Sequence, residues 1–448
     1  MYTHSVTLEK DKCIGCTDCI KRCPTEAIRV RGSKAKIIDE RCIDCGNCIR
    51  ICRNGAKKAI TDELELMNTF RYRIALPAPS FYAQFPKAGG IEWILEALLQ
   101  IGFTDYFEVA VAAEVITEAT YTYLKSAKNL PVISSSCPAI VRLIQRRFPS
   151  LIENVLPIVS PMELSARYVK HQYAKKGIEP SQVGVFFISP CPAKATEIHR
   201  PKGINESMVD GVLSIQSLYK VMHHLVKKVT PKQNKQSTYK GISWATRNGG
   251  MDENKICGHI AVDGIENVIR ILEKVEDGTL NDATFIEALA CTGGCLGGAL
   301  TVENAFVSCN TIKKWIHKDK KDNESTFLNQ LQEKIKKEEC YEFEKPITAR
   351  PVFSLDLDRQ KALEKMEGME SLYKKLPQID CGSCGAPTCR CFAEDVVRQQ
   401  ANIEECIFML RGKIKELSDQ MHQLTQTVIP TDSKQSEGEN KNDSKDVK

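Results

Sequence analysis

The sequence predicts an α/β protein whose middle carries a largely parallel sheet flanked by helices, with a small cysteine-rich unit on either side. Three observations predict this. Short β-prone segments alternate with helical ones from about residue 70 to residue 290, the pattern of parallel strands joined by crossover helices. Residues 1–60 hold two matching runs of cysteines, and residues 381–406 hold a further group.

The chain has 448 residues, enough for two or three domains with separate cores. Its 62 basic and 57 acidic side chains leave a net charge of +5, which makes no case for nucleic acid. No apolar run reaches the length of a membrane span, and residues 1–10 lack the apolar region of a signal peptide, so the expected location is the cytoplasm. Twenty cysteines in a reducing compartment point to metal rather than disulfides. Regular thiol spacing without nearby histidine favours iron-sulfur over zinc, and so many oxidisable thiolates suggest an anaerobe.

Taken in order, Cys13-Ile-Gly-Cys16-Thr-Asp-Cys19-Ile-Lys-Arg-Cys23 is matched in spacing by Cys42-Ile-Asp-Cys45-Gly-Asn-Cys48-Ile-Arg-Ile-Cys52. This run, taken twice, is that of two-cluster ferredoxins, where the fourth cysteine of each run ligates the other cluster. Cys13, Cys16, Cys19 and Cys52 are therefore assigned to one 4Fe-4S cluster, and Cys42, Cys45, Cys48 and Cys23 to a second. Two such centres in a domain of residues 1–60 would form a short electron wire. Arg53 replaces the proline expected after the second run, a change in the turn more than in ligation.

After a charged linker at 61–66, residues 66–350 form the expected central domain. Phe70–Leu76 reads as a strand, Ile91–Ile101 as a helix, Tyr106–Ala112 as a strand and Glu114–Lys128 as a helix. Helices at Ala139–Phe148 and Glu163–Lys176, the apolar strand from Val183, and further segments at Gln216–Val229, Gly264–Glu276 and Ala283–Ala290 continue the alternation. Residues 310–347, rich in Lys and Glu, read as a solvated helical connection. Cys291 and Cys295 lie in Ala-Cys-Thr-Gly-Gly-Cys-Leu-Gly-Gly, where glycine lets the backbone wrap closely around a bulky group. Cys137 and Cys191 each end a β-prone run, and ligands of α/β folds collect at strand carboxyl ends, so the four thiols could meet in one pocket. Taken alone, Cys137 and Cys191 could equally be core cysteines.

In the expected domain of residues 356–410, Cys381, Cys384 and Cys389 lie on a Gly-Pro loop, and a helical stretch returns Cys406 to complete a four-thiolate site. Leu410, Ile414, Leu417, Met421, Leu424 and Val428 then recur at heptad spacing up to Pro430. A helix pair, including a homodimer through 410–428, and packing on the chain's own body are both open. The helix is placed at 411–430, and residues 431–448 are expected to be disordered. Cys257, Cys309, Cys340 and Cys391 read as structural, and His259 as a strand-edge residue.

Ser134-Ser-Ser-Cys137-Pro138, Pro190-Cys191-Pro-Ala-Lys194 and Ala290-Cys291-Thr-Gly-Gly-Cys295 resemble the three ordered signatures of iron-only (FeFe) hydrogenases, and the likeness spans roughly residues 1–410. The resemblance implies an α/β hydrogenase catalytic domain, an N-terminal α+β two-cluster ferredoxin-like domain and a C-terminal helical 4Fe-4S domain. It also implies an H-cluster, a 4Fe-4S cubane joined to a diiron unit with CO, cyanide and a dithiolate amine, besides three further 4Fe-4S clusters. Cys137, Cys191, Cys291 and Cys295 would hold the cubane, with Cys295 bridging to the diiron unit, while Lys194 and Ser80 would donate to cyanide. H2 and protons, hydrogenase maturation proteins and a ferredoxin-like or signalling protein would be the partners.

The departures fall on the family's proton path. Ser136 stands where catalytic relatives carry a relay cysteine, and a hydroxyl is far less acidic than a thiol of pKa about 8.5. Glu118 matches one relay carboxylate, but Tyr121 and Leu156 replace two other relay residues, and Met162, Ser189 and Leu289 change the pocket. With the C-terminal cysteine domain, this resembles the sensory subgroup and implies slow, reversible H2 chemistry. The alternative is a hydrogenase-related iron-sulfur scaffold or electron-transfer protein without a diiron unit.

Overall fold

The computed structural model describes residues 4–427 apart from 233–234, 253–254, 320–325 and 357, so the expected tail at 431–448 and Val428 of the heptad lie outside the described residues. The N-terminal unit runs β1 (Val6–Leu8), α1 (Asp18–Lys21), β2 (Ile28–Arg31), β3 (Lys34–Ile37), α2 (Asn47–Ile51) and β4 (Lys57–Ala59). β1 pairs antiparallel with β4, and β2 with β3. The internal repeat survives in the backbone, because Thr17 before α1 and Gly46 before α2 share a left-handed conformation.

The central domain contributes β5 (Tyr72–Pro77), α3 (Pro79–Tyr82), α4 (Ile91–Gln100), β6 (Asp105–Tyr106), α5 (Val109–Leu124), β7 (Val132–Ile133), α6 (Pro138–Arg147), α7 (Pro161–Lys175), β8 (Val183–Ser189) and α8 (Pro192–His199). It continues with β9 (Gly211–Ser214), α9 (Ile215–Met222), α10 (Tyr239–Ser243), β10 (His259–Asp263), α11 (Ile265–Glu276) and β11 (Phe285–Leu289). Two sheets form, in the orders β6-β5-β8-β9 and β10-β11-β7, and every pairing within them is parallel. Ile74, Leu76, Val185 and Phe187 enter one apolar cluster while Ala75, Phe186 and Ile188 enter another, so the first sheet is covered on both faces. That double burial explains why β8 reads as a continuous apolar run rather than an alternating one.

Three expectations change. Tyr106–Ala112 is not a strand: β6 stops at Tyr106 and α5 begins at Val109. Val109–Ala113 is buried throughout, and an apolar run buried on all sides has the same composition in either form. Gln216–Val229 breaks after Met222, with a separate single turn at Leu225–Lys227. The Lys- and Glu-rich stretch forms α12 (Ala305–Asp319) and α13 (Thr326–Glu338), and these are not simply solvated. Ile312 and Ile335 are buried in the two main cores, and Gln332 of α13 donates to Glu114 Oε2 on α5 at 2.9 Å.

The C-terminal unit comprises α14 (Arg359–Lys375), α15 (Cys389–Val397) and α16 (Ile407–Thr427). α16 is continuous across residue 410, and Leu410, Ile414, Leu417, Met421 and Leu424 are all exposed, which answers the question of packing on the chain's own body. Among the described residues no helix is long and apolar enough to cross a membrane.

Candidate metal centres

Three parallel strands deliver the central thiols. Cys137 follows β7 and caps α6, Cys191 follows β8 and caps α8, and Cys291 lies just beyond β11, with Cys295 on the single turn Gly294–Gly297. Pro138 and Pro192 at the first helical positions set the chain direction without sacrificing a needed N–H. The Cys295 loop reaches the Cys191 segment because a Cβ on Gly298 would lie 2.2 Å from the Pro190 carbonyl oxygen. The four sulfurs feel one another. Burial, then the charges of Cys291 and Cys137, push the Cys191 thiol up to about 12. Burial raises Cys295 well above its ordinary value, with Cys191, Cys137 and Cys291 adding and Lys194 opposing. Thiols raised in this way, Cys191 and Cys295 among them, hold their protons until a cation binds beside them.

The Lys194 charge bears on Cys191 and Cys295 while its Nζ donates to Glu197 Oε2 at 3.1 Å, leaving further N–H groups of the ammonium for a ligand. Ser80 is fully buried at the start of α3, and its Oγ has no hydrogen-bond partner among the described residues. A buried hydroxyl is rarely left so, and it fits a group that accepts a hydrogen bond there. Ser189 accepts from the Cys191 N–H at 3.2 Å and donates to the Cys191 carbonyl at 2.9 Å, so it braces that ligand segment. Met162 lines a small space with Ser135, Glu197 and Lys202. Ser136 is half-buried and its N–H reaches Ser134 Oγ at 3.4 Å. Glu118 lies at the surface, 4.0 Å from Lys255, and the Tyr121 hydroxyl accepts the Asp252 N–H at 2.8 Å.

In the N-terminal unit Cys23 lines one enclosed space of about 340 Å³ with Cys42, Cys45 and Cys48, the cross-run grouping expected from the spacing. Cys13 and Cys16 act together on Cys19. Cys52 packs in the same small core, and its Sγ accepts the Ala56 N–H at 3.2 Å. Between the two groups sits Lys57. Its side chain is buried, its Nζ has no hydrogen-bond partner among the described residues, and its charge bears on both Cys19 and Cys48. An uncompensated buried ammonium is costly, and anionic thiolate clusters on both sides would compensate it.

This unit sits directly against the central thiols. A Cβ on Gly46 would fall 2.4 Å from Ala299 Cβ and 3.6 Å from Pro192, so α2 begins in contact with the segments bearing Cys191 and Cys295. Cys45, Cys137 and Cys191 pack on one apolar cluster. Arg50 of α2 spans the gap: it donates to the Gly297 carbonyl, and the charges of Cys291, Cys45 and Cys191 act on it together.

In the C-terminal unit Cys381, Cys384, Cys389 and Cys406 line one space of about 310 Å³, while Cys391 faces a different cleft beside Glu26 and Met369. The unit is fastened to the N-terminal one. Val30 N–H donates to the Gly385 carbonyl at 2.8 Å, Arg29 and Arg31 meet Asp395 Oδ2 at 2.6 and 3.0 Å, and Arg41 pairs with Glu394.

Sequence reasoning missed Arg50, Lys57 and the Arg29–Asp395 pair. Lys57 did leave a signal, since adjacent lysines on one strand must face opposite sides and one of Lys57 and Lys58 therefore points inward. His259 and Cys257 remain outside the thiol groups, but Glu287 on β11 was also missed. It is buried, takes N–H groups from Gly250, Asn248 and Gly249, and burial pushes its carboxyl up to about 7.

Groups of four thiols on an α/β scaffold, packed against a unit with two matching cysteine runs, define an iron-sulfur protein. The matches agree with that class: the chain matches a 4Fe-4S dicluster domain over residues 5–53 and a family described as Fe-S cluster over 376–408. Residues 71–256 and 218–299, just over half the chain together, match the family described as iron only hydrogenase large subunit, C-terminal domain, and the chain belongs to that family. It is 24% identical over 373 residues to iron hydrogenase 1 of Clostridium pasteurianum, covering 66% of this chain and 64% of that protein, and so spans less than two thirds of that relative's length. It is 26% identical over 368 residues to the periplasmic Fe hydrogenase large subunit of Nitratidesulfovibrio vulgaris, covering 66% of this chain and 86% of that protein. A shorter likeness, 30% over 108 residues, covers 23% of this chain and 21% of a cytosolic Fe-S cluster assembly factor NAR1 homolog of Schizosaccharomyces japonicus. Among solved structures, a variant of the FeFe-hydrogenase HydA1 from Chlamydomonas reinhardtii shares the fold at a TM-score of 0.51 and 16% identity, over 63% of this chain and 95% of that one.

Proposed function

We propose that this protein activates H2 slowly and reversibly at an H-cluster and serves as an H2 or redox sensor. The reading is carried by one observation: Cys137, Cys191, Cys291 and Cys295 lie near enough for their charges to act on one another, and the Lys194 ammonium acts on Cys191 and Cys295 as well. The bound centre would supply heterolytic splitting of H2 into two protons and two electrons. Cys137, Cys191, Cys291 and Cys295 hold its cubane, while Lys194 and Ser80 Oγ donate to anionic ligands on its diiron part. Ser136 and Glu118 mark the inner and outer ends of the proton path, and Ser136 is the weak step because its hydroxyl gives up a proton reluctantly. Cys13, Cys16, Cys19 and Cys52, then Cys23, Cys42, Cys45 and Cys48, hold two 4Fe-4S clusters, with Arg50 at the junction with the central site. Cys381, Cys384, Cys389 and Cys406 hold a third beside α1, since Gly382 lies against Ile20 and Lys21.

Infrared spectra of protein matured with hydrogenase maturation factors test this directly. CO and cyanide bands that change under H2 are expected; a protein rich in iron and sulfide but without those bands would be a scaffold. The likeness to an assembly factor over part of the chain favours that second reading, while the unpartnered Ser80 hydroxyl favours the first.

A second copy of the chain is the proposed occupant of α16. Ile414 and Met421 fall at the a positions and Leu417 and Leu424 at d, and a β-branched residue at a with leucine at d favours a parallel two-stranded pair. Leu417→Glu should convert a dimer to a monomer in sedimentation; a wild-type monomer at high concentration would refute it.

A further inference from the structure

We propose that the cleft between α6, the segment following α8 and residues 345–350 binds a compact polyanion bearing phosphate or carboxylate groups. The cleft measures about 270 Å³. Arg142 and Arg146 of α6, Arg200 and Lys202 after α8, and Lys345 and Arg350 all line it, and no Asp or Glu among the described residues does. Arginines and lysines gathered in one concavity repel one another, and burial, then Arg142, pushes the Lys202 ammonium well below its ordinary range. The Arg200 guanidinium shows it, held below its ordinary value by burial and then by Arg350 and Arg142. A fold that assembles such a group stores an unfavourable interaction that an anion relieves.

The site is built rather than incidental. Arg142 is 5% exposed; its Nη1 donates to Asp44 Oδ2 at 3.0 Å, while its Nη2 is buried with no hydrogen-bond partner among the described residues. Gln145 Nε2 donates to the Thr348 carbonyl at 2.8 Å and accepts the Arg350 N–H on its backbone carbonyl at 2.8 Å, so the 345–350 segment is pinned across α6. Cluster charge in the N-terminal unit accounts for two of the cations, because Arg146 donates to the Cys42 carbonyl and Arg142 reaches the same segment through Asp44. Arg200, Lys345 and Arg350 come from other segments, and Lys345 Nζ donates to Asn205 Oδ1 at 3.2 Å across the cleft lining. The remaining lining includes Gln145, Thr196, Asn205 and Thr348, with no aromatic ring, so a nucleobase would find no stacking surface and the charged group itself is what the cleft reads. Residues 345–350 precede the C-terminal cysteine unit, so a bound anion would fasten the connection between it and the central domain.

The proposal does not depend on the hydrogen reading, and its test leaves that chemistry aside. Titration calorimetry of the full chain with reconstituted clusters, at low salt, should give saturable one-to-one binding of pyrophosphate or citrate. Tighter pyrophosphate indicates a phosphate-bearing ligand, and tighter citrate a polycarboxylate. Arg200→Gln and Arg350→Gln should each weaken binding roughly tenfold or more, with cluster absorbance unchanged. Absence of saturable binding for both anions, or binding that survives the double variant, overturns it.

Discussion

The thiol side of the central domain and its proton side are built to different standards. On the thiol side, buried sulfurs, Arg50, the Ser189 brace and the contact at Gly46 form a continuous set of close contacts from the N-terminal unit to Cys295. On the proton side, Ser136 is half-buried, Tyr121 is engaged by backbone and Glu118 sits at the surface beside Lys255. On the proposed reading, the contrast would mean that electron exchange and proton exchange can be tuned separately in this fold.

The largest expected effect lies in Ser136→Cys. If proton transfer limits turnover, a thiol there should raise H2 oxidation by about a hundredfold, measured with a dye acceptor on matured protein. An unchanged rate would break the contrast. Next comes Asp395→Asn, which sharpens the electron side by leaving Arg29 buried without its charge partner, their side chains being 7% and 4% exposed. Such a loss costs about 3–5 kcal/mol, visible as a lower denaturant midpoint and faster amide exchange in residues 381–406. Equal exchange in variant and parent would show that the pair does not fasten the C-terminal unit.

A smaller effect concerns Glu287, a buried titrating group on β11. Its carboxyl is raised from an ordinary 4.5 to about 7, so between those values the folded protein keeps a proton that the unfolded chain has lost. Stability should therefore fall as pH rises through that window, by about 3 kcal/mol at most. Glu287→Gln should flatten the curve; an equally steep curve in the variant would mean that other groups carry the slope.

Much of the site was legible because its ligands announce themselves by spacing. Two runs of four cysteines and a Cys-x3-Cys among glycines need no tertiary information, and thiols at the ends of apolar runs follow from where α/β folds place ligands. The parallel sheets were legible from β8 and its crossover helices. The misread elements share a cause: Val109–Ala113 and α13 are set by what packs on them, which composition does not report. Arg50, Arg29 and Asp395 were silent for the same reason, being single charges whose partners lie hundreds of residues away.

The absent side chain at Gly46 has a kinetic consequence. Electron tunnelling weakens exponentially with separation, and α2 can approach Pro192 and Ala299 only because nothing projects from that position. On the proposed reading, one added methyl group would push α2 off Pro192 and Ala299 and slow electron exchange between the N-terminal unit and the central site.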